Sequence, residues 1–209
     1  MILKEIYKTN PDKNFLSGYY TDNIFSSCGN YIVITEIEDC FSYTSENELA
    51  KVWLINLYTF TKELIGTTQT CNFQQGCKLQ FIFIENEEYI VFNRVDKEIG
   101  YYSSAIRLKD KMQLNLPFAF YSFNQNRELM TIIDYKRLDK LKRGYSYGHF
   151  LKQEIDKNLD FDEGLRIYSL KNNSFIKTIK LEDLPSYDFK NKKQYIDHCY
   201  FNKSGNKLC

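Results

Sequence analysis

Short runs in which apolar and polar residues alternate recur along the chain, each interrupted by a polar break. They appear as "KVWLINLYTFTKELI" from Lys51, "SSAIRLKDKMQLNL" from Ser103 and "GLRIYSLKNNSFIKTI" from Gly164. Leu57, Leu108 and Leu170 hold equivalent places before the break. A period of two is the mark of strands with one buried face, so each run predicts a strand, a turn and a second strand. The one stretch with helical character, "YKRLDKLKRG" from Tyr135, is charged enough to read as a solvated loop.

A second pattern precedes each of these runs. "FSSCGNYIV" from Phe25, "FIENEEYIV" from Phe83 and "FNQNRELMT" from Phe123 align without a gap, and "FNKSGNKLC" from Phe201 ends the chain in the same frame. Each copy reads as a strand end, a polar turn and a second strand, with the Phe placed just before the turn. In the first and last copies Gly-Asn supplies residues that tight turns prefer. Two hairpins in succession make a four-stranded antiparallel meander. The second and third copies lie 40 residues apart, and about 40 residues is the length of one propeller blade. The wider spacings come from insertions at 38–50 and 135–163, both between second and third strands. The expected fold is an all-β propeller of four-stranded blades, near 18–70, 73–117 and 118–184, with a fourth begun at 194–209. Propellers close with about four to eight blades, so this count describes an open arc whose unpaired edges invite self-association.

Composition narrows the function classes. Among 209 residues, 17 Tyr and 16 Phe favour strands. With 28 basic and 27 acidic residues the net charge is +1, which gives no electrostatic basis for nucleic acid or an anionic membrane as partner. No apolar stretch approaches the ~20 residues that span a bilayer, and the N-terminus does not read as a secretory signal. The cytoplasm is therefore the default location. Six cysteines show no framework spacing and no C-x-x-C pair and are expected to be thiols. There is no G-x-S-x-G elbow, phosphate loop or dinucleotide fingerprint, and no cofactor is indicated.

"GYYTDNIFSSCGNYIV" from Gly18, "QQGCKLQFI" from Gln74, "IVFNRVD" from Ile90, "YKRLDKLKRGYSYG" from Tyr135 and "HCYFNKSGN" from His198 together resemble the N-terminal half of bacterial propellers similar to oligogalacturonate lyase. In the third-blade loop, Arg137-Leu138 and Arg143-Gly144-Tyr145-Ser146-Tyr147 match the group's pattern, with a proline missing and one glycine replaced by Ser146. The resemblance implies a propeller linked to bacterial surface-polysaccharide metabolism, binding glycan or a polysaccharide-processing protein. Its alternative implication is a lyase on acidic glycans. That branch holds a divalent metal mainly through histidines in later blades. This chain has only two histidines, His149 and His198, so no metal ligand carries over.

In a meander, the segment leading into a blade and the loop joining its second and third strands share one face. That rule gathers Tyr19, Tyr20, Gln75, Asn93, Arg94, Arg137, Arg143 and Tyr145 as candidate ligand-binding residues: tyrosines to stack on sugar rings, and amide and guanidinium groups to bond hydroxyls or carboxylates. His198 falls on the same face and is the one candidate for acid–base chemistry. His149, in a long polar loop, is expected to be solvated.

Overall fold

The structure, a computed structural model, describes residues 5, 7–19, 22–38, 49–142, 144–150, 164–184, 194–202 and 204–208. Among these residues twelve strands form three four-stranded antiparallel sheets, each a meander in chain order. The first holds β1 (Asn14–Leu16), β2 (Tyr31–Ile37), β3 (Ala50–Asn56) and β4 (Lys62–Thr68). The second holds β5 (Gln80–Ile84), β6 (Glu87–Asp96), β7 (Gly100–Arg107) and β8 (Gln113–Leu116). The third holds β9 (Ser122–Phe123), β10 (Leu129–Ile133), β11 (Leu165–Ser169) and β12 (Ser174–Ile179). The all-β expectation holds, and both insertions fall between second and third strands.

The repeat survives at the level of single hydrogen bonds. Phe25 bridges Ile32, Phe123 pairs with Met130 and Phe201 bridges Leu208, three turns of one register. Within them Gly29, Arg127 and Gly205 stand at matching places with positive φ of 72°, 55° and 70°. Their amides donate to the carbonyls of Ser26, Asn124 and Asn202 at 3.0, 2.9 and 2.9 Å. Side-chain oxygens of these same residues accept from the amides of Tyr31, Leu129 and Lys207. The Phe83 copy turns more tightly: Ile84 pairs with Glu87 around Glu85 and Asn86, both left-handed, as a two-residue hairpin loop requires. Leu57, Leu108 and Leu170 prove equivalent in space as well. Their amides donate to the carbonyls of Asn30, Glu88 and Glu128 at 2.8, 2.8 and 2.9 Å, each five residues beyond its repeat Phe.

Alternation along the strands decides how the sheets pack. Val33, Val52 and Leu54 of the first sheet meet Phe81, Ile90, Phe92 and Ile106 of the second. The neighbouring positions Ile82, Tyr89, Val91 and Ala105 turn to the other face and meet Met130, Ile132 and Tyr168 of the third. The middle sheet is thus buried on both faces, which is why "YIVF" at 89–92 is continuously apolar rather than alternating. Each such side chain contributes about 1.5–3 kcal/mol of burial. The fourth strand is the most exposed of each sheet, β12 above all, and these strands carry charges such as Lys62, Glu63 and Lys177 that blunt a free edge.

The expected loop after β10 is overturned. Residues 135–141 are not a solvated loop but an α-helix, α1 (Tyr135–Leu141), with Asp134 as N-cap accepting from the Arg137 amide at 2.9 Å. Charge masked its inner face, since Tyr135, Leu138 and Asp139 are buried. The following residues fold back as well: Tyr147 and Phe150 are buried, and Tyr147 packs with Ile133, Leu165 and Cys199. Residues 151–163, the remainder of the expected loop, lie outside those described.

Candidate functional site

The segment between β1 and β2, the segments leading into β5 and β9, and residues 194–200 converge around one side chain. The centre is Lys78, a lysine in a left-handed backbone conformation with φ of 59° and no exposed surface. Its ammonium donates to Asp22 Oδ1 at 3.0 Å and to the Tyr200 hydroxyl at 3.2 Å. It also lies 4.9, 5.2 and 5.7 Å from the ring centroids of Tyr121, Tyr200 and Tyr19. A buried cation needs such a set, a counter-ion and π faces in place of water. Asp22 accepts from the Tyr19 amide at 3.1 Å through its other oxygen. Burial raises the Asp22 pKa, against the opposing pull of Lys78.

Beneath this centre the polar groups are spent on protein partners. Gln75 donates to the Tyr121 hydroxyl at 2.9 Å. Asn93 donates to the Phe120 carbonyl and the Tyr147 hydroxyl, each at 2.9 Å, and accepts from Ser103 at 2.8 Å and the Phe120 amide at 3.2 Å. Asp139 accepts from the Tyr101 hydroxyl at 2.6 Å and from the amides of Tyr147, Gly148 and Phe150 at 3.1, 2.6 and 3.1 Å. Burial raises the phenol pKa values of Tyr101, Tyr121, Tyr135 and Tyr147, so these hydroxyls act as neutral hydrogen-bonding groups.

Above it stands a half-buried aromatic platform. Tyr19 stacks on Tyr200 with centroids 6.1 Å apart and planes 9° from parallel. The His198 ring lies 6.0 Å from Tyr19 and 5.5 Å from Tyr145. Lys142 sits over Tyr145 at 5.0 Å and over Tyr195 at 6.0 Å. His198 has a φ of 54°, uncommon for a residue with a side chain, and its Nδ1 lies 2.8 Å from Asp197 Oδ1. In that bond the imidazole Nδ1–H donates and the carboxylate accepts.

The sequence candidates therefore separate. Tyr19, Tyr145 and His198 come together on the platform. Gln75 and Asn93 lie inside, under it. Arg94 sits in β6 with its guanidinium 5.9 Å from the Tyr102 ring. Arg137 ties α1 to the last segment through the Gln194 carbonyl. Tyr20 and Arg143 lie outside the described residues. His149 is not solvated: its Nε2 bonds the Gln69 carbonyl at 2.8 Å and its ring packs on Tyr101. The sequence reading missed Lys78, Asp197 and Tyr200. A charge inside the apolar "GCKLQFI" was the available signal for Lys78, since such a residue must be paired when its neighbours are buried.

Among the described residues no group of three or more His, Cys, Asp or Glu side chains could hold a metal ion. No helix among them is long and apolar enough to cross a membrane. Cys28, Cys71, Cys77 and Cys199 are thiols rather than half-cystines, while Cys40 and Cys209 lie outside the described residues. Compared with known proteins, the chain has no significant match to any family model, curated protein or solved structure.

Proposed function

We propose that the chain is an arc of a β-propeller and that the end bearing Lys78 binds carbohydrate, in the setting of bacterial surface-polysaccharide metabolism. Three meander sheets stacked in chain order support the propeller reading. The observation that carries the binding reading is the cluster of half-buried Tyr19, Tyr145 and His198 rings, seated on the buried Lys78–Asp22–Tyr200 network. Sugar rings offer C–H faces that pack on aromatic rings and hydroxyls that bond to groups at their rim. Here Asp197 and His198 supply such groups, and a rigid base holds them in place.

A glycan array with the full chain, followed by titration of any hit, tests this. Binding to an acidic or neutral oligosaccharide is expected, weakened about tenfold by Tyr145→Ala or His198→Ala, the loss of roughly 1.4 kcal/mol of contact. Absence of binding by folded protein, or binding indifferent to both substitutions, overturns it. The Asp197–His198 pair favours a second reading, an enzyme in which His198 takes a proton from the bound sugar. Loss of turnover with retained binding in His198→Gln would separate catalysis from binding.

A further inference from the structure

At the opposite end of the first strands, a cleft of about 350 Å³ opens between the Glu85–Asn86 turn, the Asn126–Glu128 turn and Lys171. Arg127 stands in it at the left-handed position of its turn, where two other copies of the repeat place Gly29 and Gly205. A residue with a Cβ is strained there and glycine is not. The Arg127 guanidinium lies 5.8 Å from the Phe83 ring and is half-buried. No carboxylate of the described residues comes within ion-pair distance of it. The neighbouring Glu88 is engaged elsewhere, accepting from the Ser27 amide at 2.6 Å and the Ser27 hydroxyl at 3.1 Å. Burial accordingly holds the Arg127 pKa below its usual value. Strain and desolvation thus both act against this arginine; the Glu88 charge and the Phe83 ring offset them only in part, and no ion pair does so.

We propose that this cleft binds a small molecule bearing a single carboxylate. Arg127, backed by Phe83, is the bidentate donor, and Lys171 is a second cation. A planar guanidinium matches a carboxylate with two parallel hydrogen bonds. Asn86 and Asn126 add donors and acceptors for hydroxyls. Glu85 and Glu128 bring the net charge of the lining to zero, which disfavours polyanions and suits a monoanion such as a uronate or hydroxy acid. The volume suits a ligand of that size.

The test uses the full chain and D-galacturonate as probe, with its methyl ester and galactose as uncharged controls, followed by NMR of the Arg127 side chain and of the Asn86 and Asn126 amides. Galacturonate should shift these signals saturably and the ester should not. Arg127→Gly should weaken binding at least about tenfold while the Tm stays level or rises, because glycine relieves the turn. Arg127→Lys should fall between. Equal shifts from acid and ester overturn the inference, as does undiminished binding in Arg127→Gly. A Tm several degrees lower in Arg127→Gly would show a structural arginine and also overturn it. Shifts confined to Tyr145 and His198 would overturn this inference while supporting the carbohydrate face at the other end.

Discussion

Replacing Asp22 by Asn tests the buried centre most directly. The two side chains are 0% and 2% exposed and 3.0 Å apart, so the change removes a counter-ion from a cation that water cannot reach. The amide keeps the shape, yet it turns either a donor toward Lys78 or a donor toward the Tyr19 amide, which also donates. Breaking a buried pair on one side costs about 3–5 kcal/mol. At about 2–4 °C per kcal/mol for a domain of this size, the Tm should fall by roughly 6–20 °C. The double variant Asp22→Leu/Lys78→Met removes both charges and should recover most of the loss, since apolar replacement of a whole buried pair is often close to neutral. Urea and thermal unfolding at neutral pH would complete the double-mutant cycle. A loss under about 1 kcal/mol in Asp22→Asn would refute the claim that Lys78 depends on this partner.

Asp139→Ala should free residues 144–150, because it leaves the Tyr101 hydroxyl and three amides without their acceptor. A loss of at least about 3 kcal/mol and faster amide exchange at Tyr147, Gly148 and Phe150 are expected, with unchanged exchange counting against the clasp. Gly164→Ala should destabilise by about 1–3 kcal/mol or more, since a Cβ there would lie 2.2 Å from the Ile179 carbonyl oxygen; chemical denaturation measures it. Thiol labelling should be ordered by burial. Exposed Cys28 should react in the native state, whereas Cys77 and Cys199, pushed by burial to about 11 and about 12, should wait for unfolding, and native-state labelling of Cys77 would contradict its packing.

The sequence by itself determined the β class, the hairpin frame and the equivalence of Leu57, Leu108 and Leu170, because turn chemistry and period-two alternation are local properties. It also singled out Tyr19, Tyr145 and His198, which the fold brings together. Tertiary structure decided what local pattern could not carry. It made 135–141 a helix, because a buried Leu138 and Tyr135 outweigh a charged outer face that reads as loop. It drew Gln75 and Asn93 under the platform, because a polar side chain is buried only where distant partners such as Tyr121 and Phe120 satisfy it. It paired Lys78 with Asp22 and Tyr200, 56 and 122 residues away. No periodicity marks such a contact, since it exists only once the sheets have stacked and these distant segments meet.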